Sequence, residues 1–294
     1  MQTILVTGST GFLGGHIVEE LSKERYSLHL LIRHKSRLDR LSKLPSHVSV
    51  SRYSHYNEIE NIIELVAPDI IIHTACNYGR NGEDLSELLM SNVFFGLQVL
   101  SGTLQLSKPV TFVNCGTVLD KGVSFYSLSK AHFCEWAAKI TEQENNNINF
   151  LNLRLQHFYG PGDDESKFVS AVMAACLRGD PTIDLTSGSQ VRDFIHVKDV
   201  VAAIRTVLSN ITSLPRVQHI DVGSGIGVSI KELALMIHAL TKSETTLNFG
   251  VLPMRSEEDN VEVADVGELK RLGWAPKISL ESGLKEMVSI GGLS

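Results

Sequence analysis

Short runs of wholly apolar residues alternate, along the first half of the chain, with longer segments whose apolar positions recur every three to four residues. Thr3–Thr7, Ser27–Arg33, 69–75, Val110–Thr117 and 148–154 read as strands buried on both faces, with 48–51 a weaker one. Between them the periodicity predicts helices over 16–23, 58–66, 85–106 and 125–145. Strands alternating with amphipathic helices in this way give an α/β fold, a doubly wound parallel sheet. On such sheets ligands sit at the carboxyl ends of the strands.

The first of those ends is rich in glycine. Thr3–Thr7 runs into Gly8-Ser-Thr-Gly11-Phe-Leu-Gly14-Gly15 and then directly into a helical pattern. Glycines there let the backbone turn tightly and approach a pyrophosphate, which rests on the helix N-terminus. The spacing is G-x-x-G-x-x-G, and a plain tight β–α turn would carry the same glycines. Gly8, Thr10, Gly11, Phe12, Leu13 and Gly14 are the candidate contacts, with the small Ala75 at the end of the fourth strand. At the end of the second strand an NAD-binding unit places an acidic residue for the adenosine ribose. Here that position holds Arg33, followed by His34, Lys35 and Arg37. A guanidinium grips a 2′-phosphate that a carboxylate would repel, so the expected cofactor is NADP(H) rather than NAD. A solvated basic loop is the bland alternative.

Tyr126-Ser-Leu-Ser-Lys130 lies in the helix after the fifth strand, and on a helix its two ends share one face. A phenol beside an ammonium has its pKa drawn toward neutrality and can exchange a proton with a carbonyl or an alcohol. By itself the spacing is that of an ordinary surface pair.

Composition narrows the classes. The 294 residues, 43% hydrophobic and 20% charged, suit one large or two intimate domains. A net charge of −6 favours neither nucleic acid nor an anionic membrane, and no apolar run approaches a membrane span. The chain opens into a strand with no basic or long apolar lead-in, so no export signal is expected. The four cysteines form no C-x-x-C pair and the eleven histidines no metal-ligand spacing. A reducing, cytoplasmic setting and no metal site are therefore expected.

Seven motifs now stand in order. They are Thr7–Gly14, Asp69-Ile-Ile-Ile-His-Thr-Ala75, Asn92-Val, Tyr126–Lys130, Arg154-Leu-Gln-His-Phe-Tyr-Gly-Pro-Gly162, Val191-Arg-Asp-Phe-Ile-His-Val-Lys-Asp199, and the pair Val222–Lys231 with Leu272–Pro276. Together they resemble the extended short-chain dehydrogenase/reductase family almost end to end. Within it, Ile72–Gly79, Leu153–Asp163 with Glu165–Phe168, and Ser187–Phe194 are most similar to the CDP-abequose and CDP-paratose synthase group. The resemblance implies a Rossmann domain of residues 1–160, 191–214 and 266–294, and a sugar-nucleotide lobe of 161–190 and 215–265. It implies reduction by NADPH of the C4 ketone of a nucleotide-linked deoxyhexose, with a CDP-sugar favoured, for surface polysaccharide. Tyr126 and Lys130 become catalytic residues that also hold the cofactor, and Asn92 joins the cofactor site. Tyr78, His157, Lys167, Phe168 and Arg192 become substrate contacts, Arg192 at the diphosphate. A homodimer through the helices of Asn92 and Tyr126 is implied as well, and Val93, Leu97, Phe133 and Trp136 permit it, as either interface or core.

The chain departs from the family pattern at three places. Where a serine or threonine is usual at the end of the fifth strand it has Cys115, a weak hydrogen-bond donor, and Thr117 lies on the same side of an extended chain as an alternative. The acid/base pair of the family's dehydratases is replaced by Gly116 and Thr117, neither of which exchanges protons near neutrality. His157 stands where asparagine is common and reads equally as a diphosphate contact or a packed histidine. A nucleotide-sugar 4-epimerase, and a non-catalytic NADP(H)-sensing protein, remain the alternatives to a reductase.

Overall fold

The computed structural model describes residues 1–41, 44–80, 82–143, 147–254 and 260–291. They divide into two compact units: 1–154 with 207–220, and 155–206 with 221–294. By compactness, then, 191–206 and the described part of 266–294 group with the second unit.

The first unit holds β1 (Thr3–Thr7), α1 (Phe12–Leu21), β2 (Ser27–Arg33), β3 (Ser49–Tyr53), α2 (Ile59–Val66), β4 (Ile70–His73), α3 (Leu85–Leu89), α4 (Phe95–Leu104), β5 (Val110–Thr117), α5 (Phe125–Glu142) and β6 (Ile148–Leu155). With β10 (Val217–Val222) the strands form one seven-stranded sheet in the order β10-β6-β5-β4-β1-β2-β3. The pairs β1–β2, β2–β3, β1–β4 and β4–β5 run parallel. This is the doubly wound sheet that the alternating pattern predicts, and its reversal of order between β1 and β4 creates a crevice for ligands. The helix expected to run to 145 ends at Glu142, with Gln143 as its extended C-cap; position 145 itself lies outside the described residues.

Apolar residues on both sides of the strands explain why the sheet is covered on both faces. Leu5, Leu31, Ile71, Phe112 and Phe150 pack with Phe95 and Val99 of α4 and Phe133 of α5. Phe133 is fully buried against the rings of Phe112 and Phe150, so of its two readings, interface or core, it is core. One long helix was expected over 85–106. Instead the segment between α3 and α4, Met90–Phe94, winds through a wider π-turn. Such turns insert a residue into the helical ladder and commonly mark functional sites. Here the turn carries Asn92, 1% exposed, into the interior.

The second unit holds β7 (His157–Tyr159), α6 (Phe168–Arg178), β8 (Thr182–Leu185), β9 (Val191–His196), β11 (Gly227–Ser229), α8 (Ile230–Thr241), β12 (Thr246–Phe249), β13 (Val261–Glu262), α9 (Gly267–Arg271) and α10 (Leu280–Gly291), while α7 (Val197–Ser209) starts in it. β9 is flanked by β11, β13 and β7, and β8 pairs with β12. Val172, Met173, Leu233, Ile237, Leu284 and Tyr159 form its core. The two carboxylates of the Val191–Asp199 motif are structural ties. Asp193, wholly buried, accepts from Ser224 N and Oγ, Gly225 N and Ala264 N at 2.6–3.2 Å. Asp199 accepts from Lys277 N and Ile278 N at 3.1 and 2.8 Å. A buried carboxylate needs several donors, and loop amides supply them.

Candidate active site

The glycine turn is built on a close approach of two chain segments. Gly8 has φ +69°, and a Cβ on it would stand 2.5 Å from Ala75 N and 2.6 Å from Thr74 Oγ1, so no other residue fits there. Thr74 Oγ1 donates to Thr7 O at 2.8 Å, and Thr7 Oγ1 bonds His73 Nδ1 at 2.9 Å, locking the end of β1 to that of β4. The turn closes with Gly11 N donating to Gly8 O at 2.9 Å, and Gly14 packs on the Gly8 backbone. Gly11 precedes α1 without a side-chain cap, and the first turn of α1 has no acidic residue. Beside Gly11, the position a Cβ would take touches only Gly8 O, at 3.2 Å. An uncapped, exposed helix N-terminus with its dipole unopposed suits a pyrophosphate. Thr10 and Phe12 are half-buried beside it, and Leu13 faces the core. Ser9 Oγ, wholly buried, has no hydrogen-bond partner among the described residues.

Arg33 is exposed at the end of β2, followed by the exposed His34, Lys35 and Arg37, the last paired with Asp39 at 2.8 Å. Arg52 of β3 holds this loop, donating to His34 O at 2.7 Å and Ser36 O at 3.1 Å. Arg40 escaped the sequence reading. Its guanidinium lies 5.8 Å from the centroid of the Phe12 ring and its stem lies beside Gly15, so the fold brings a second guanidinium to the glycine turn. Only the approach of the post-β2 loop to α1 reveals it.

The catalytic candidates gather at the ends of β4 and β5. Ser124 caps α5 by accepting from Ser127 N at 3.1 Å, which sets Tyr126 in the first turn and Lys130 one turn later. Tyr126 is half-buried and Lys130 is 3% exposed. Burial pushes the Tyr126 phenol well above its ordinary value, helped by Cys76 and Cys115. The cation that pulls hardest the other way is Arg80, and a hydrogen bond from Tyr78 adds to it. Lys130 was expected to bring this phenol toward neutrality; the net shift is upward instead, because desolvation outweighs the neighbouring charges. Cys115 is buried, and its thiol is pushed up to about 12 by that burial, against the pull of Lys130. At neutral pH it is a thiol. Thr117 closes β5, half-buried, with its Oγ1 accepting from Leu119 N at 3.3 Å. His73, among the rings of Phe95, Phe112 and Phe133, is held neutral by burial and by Lys130.

Asn92 was expected at the cofactor. In the structure its Oδ1 accepts from Asn77 N at 2.6 Å, while Nδ2 donates to Asn77 O at 2.8 Å and Ser129 Oγ at 2.9 Å. Those bonds commit its side chain to the loop after β4 and to α5. Tyr78 in that loop packs its ring on that of Tyr126.

The other substrate candidates lie in the second unit. His157 Nε2 and Arg192 Nε approach the same carboxylate, Glu262 Oε2, at 3.7 and 3.6 Å, and Arg192 is 4% exposed. β7 and β13 flank β9, which explains the meeting, but nothing in the sequence pattern links Glu262 to the other two. Lys167 pairs with Asp163 at 2.9 Å and stands 4.3 Å over the Phe158 ring, with Phe168 opening α6 beside it. Among the described residues no cluster of His, Cys, Asp and Glu could hold a metal ion, and no helix is long and apolar enough to cross a membrane.

A parallel sheet with a glycine turn at its first strand and a tyrosine–lysine pair after its fifth is the frame of a Rossmann-fold enzyme of the epimerase, dehydratase and reductase class. The chain belongs to the NAD dependent epimerase/dehydratase family, whose model matches residues 4–223. It is 31% identical to a CDP-abequose synthase of Salmonella muenchen over 98% of this chain and 97% of that one. It is 29% identical to one of Salmonella typhimurium, over 97% of each. Among solved structures, UDP-glucose 4-epimerase of Thermotoga maritima with UDP-glucose superposes with a TM-score of 0.82 at 22% identity, over 98% of this chain and 97% of that one. The Thermus thermophilus UDP-glucose 4-epimerase complex with NAD superposes with a TM-score of 0.81 at 22% identity, over 98% of each.

Proposed function

We propose that this protein reduces the C4 ketone of a nucleotide-linked 4-keto-6-deoxy or 4-keto-3,6-dideoxyhexose with NADPH, a CDP-sugar being favoured. One observation carries the reading. At the end of β5 the chain has Cys115, Gly116 and Thr117, none of them an acid or base near neutrality, which leaves Tyr126, kept protonated by burial, as the proton donor. Elimination of water needs a second acid or base; reduction of a ketone needs only hydride and one proton. The near full-length similarity to two CDP-abequose synthases supports the same reading.

The reduced nicotinamide supplies the hydride when bound. Gly8, Gly11 and the N-terminus of α1 would hold its pyrophosphate, and Arg33, with Arg40, the 2′-phosphate. Two exposed guanidiniums and no acidic residue at the end of β2 favour NADP(H). Tyr126 gives its phenolic proton to the C4 oxygen, Lys130 holds the nicotinamide ribose, and Thr117 or Cys115 orients the carbonyl. His157, Lys167, Phe168 and Arg192 contact the sugar nucleotide, with Glu262 fixing the first and last. In the same reading the protein is a homodimer, since Leu85, Leu89, Phe94, Phe125 and Trp136 expose large apolar side chains along α3, the π-turn and α5. Its product would enter surface polysaccharide.

The test is direct. The protein is mixed with NADPH and CDP-, dTDP- and GDP-linked 4-keto sugars, and loss of NADPH absorbance is followed. Oxidation of NADPH with a C4 alcohol as product, seen by NMR, supports the proposal. Interconversion of C4 epimers without net loss of NADPH indicates an epimerase, and binding of NADPH with no turnover indicates a sensor.

A further inference from the structure

The loop after β4 brings a second tyrosine and an arginine to Tyr126. The rings of Tyr78 and Tyr126 lie with centroids 4.8 Å apart and planes at 31°. The Tyr78 hydroxyl acts on the Tyr126 phenol in the direction of a donor, lowering its pKa. The Arg80 guanidinium stands 5.3 Å from the centroid of the Tyr78 ring, in cation–π range. Little of this is left to chance. Asn77 Oδ1 accepts from Gly79 N at 2.9 Å, an Asx-turn that Gly79 completes at φ +67°. Asn92 grips both the N–H and the C=O of Asn77 and donates to Ser129 Oγ, whose own proton goes to Tyr126 O at 2.8 Å. One buried amide therefore sets the Tyr78 loop and the Tyr126 turn of α5 relative to each other.

We propose that Tyr78 and Arg80 are positioning residues for Tyr126, the Tyr78 hydroxyl donating to the Tyr126 phenolic oxygen and Arg80 placing positive charge behind the pair. The inference deepens the reductase reading and rests on it. At this site β5 presents the Cys115 thiol and the Thr117 hydroxyl, and Tyr78 adds a further hydroxyl beside Tyr126. The reduced nicotinamide, when bound, would supply hydride to the C4 carbon as the C=O π pair moves to oxygen. That oxygen takes the Tyr126 proton, and the O–H pair stays on Tyr126 as a phenolate. The Tyr78 O–H and the Arg80 charge favour this anion until solvent returns a proton. Facing Tyr126 are Cys76, Tyr78 and Arg80 from the loop and Cys115 from β5, with Lys130 on its own helix. Burial and the two cysteines raise its pKa; Arg80 and the Tyr78 hydrogen bond oppose them.

The experiment is NMR of the full chain isotope-labelled at the tyrosine Cζ, whose six resonances are few enough to assign with Tyr126→Phe and Tyr78→Phe. Tyr78→Phe keeps the stacked ring and removes only the hydroxyl. It is expected to move the Tyr126 resonance at neutral pH and to raise its ionisation midpoint by about one unit, the effect of one hydrogen bond to a charged oxygen. Arg80→Gln should raise the midpoint too, and Arg80→Lys should restore most of it. A Tyr126 resonance unchanged in Tyr78→Phe overturns the proposal. In turnover, protonated Tyr126 is the active form, so kcat/KM falls as pH rises through its pKa. Tyr78→Phe should move that limb to higher pH and lower kcat with KM unchanged. A lower kcat with the limb in place would mean a merely structural role, and would also overturn it. If the wild-type protein oxidises NADPH with no 4-keto sugar, the reductase reading fails while the resonances still decide the Tyr78–Tyr126 bond.

Discussion

Asn92 Nδ2 donates to Ser129 Oγ across 2.9 Å, joining the π-turn after α3 to the first turns of α5. The same amide holds the Asn77 backbone at both its N–H and its C=O. Asn92→Ala would strip Asn77 N, Asn77 O and Ser129 Oγ of their Asn92 partner at once. A loss of about 2–4 kcal/mol in unfolding free energy is expected by chemical denaturation, since each stranded group costs about 1–3 kcal/mol less what water recovers. Activity should fall more than stability alone explains, because the Tyr78 loop is released.

Tyr126→Phe removes the proton donor of the proposed reduction. Reduction should drop by about 10²- to 10⁴-fold, the usual contribution of a positioned acid, while NADPH still binds. Stopped-flow kinetics and a fluorescence titration read the two separately. Full turnover in this variant would remove Tyr126 from the mechanism.

Arg33→Glu reverses the charge at the end of β2. Losing a charge-assisted bond to the 2′-phosphate should weaken NADPH by about 10- to 100-fold while leaving NADH within a few-fold. Arg40→Ala should act in the same direction and more weakly. Calorimetric titration with both nucleotides checks this, and tighter binding of NAD(H) by the wild-type protein would contradict the assignment.

The Cys115 thiol, held up to about 12 by burial, is protonated throughout the neutral range. Only the thiolate is nucleophilic, so its reactivity should stay negligible at pH 8 and rise only as pH approaches 12. Cys134, pushed up to about 11, should follow at slightly lower pH. Peptide mapping after iodoacetamide treatment at pH 8 should find both unmodified in the native protein and modified after unfolding. Rapid labelling of native Cys115 would show that its site opens to solvent.

Trp136 is 60% exposed on α5, whereas Phe133, three residues earlier, is wholly buried. Trp136→Glu should therefore convert a dimer to monomer without loss of the fold, as read by light scattering and circular dichroism. A wild-type protein that is already monomeric at micromolar concentration would refute the helix-mediated dimer.

The sequence determined whatever depends on neighbours along the chain. Alternation of apolar strands and amphipathic helices was enough for the parallel sheet, and β1, β2 and β5 have the bounds that their apolar runs predict. The one-turn spacing of Tyr126 and Lys130, the glycine turn and the basic end of β2 were legible for the same reason: each is a local pattern tied to a known backbone period. Tertiary structure alone decided which distant groups meet. Glu262 lies between His157 and Arg192 because three strands share β9, Arg40 reaches Phe12 because a loop folds back on α1, and Tyr78 reaches Tyr126 because Asn92 turns inward through a π-turn. No periodicity encodes these meetings. They follow from burial, which makes an inward amide or carboxylate find its partners wherever packing has put them.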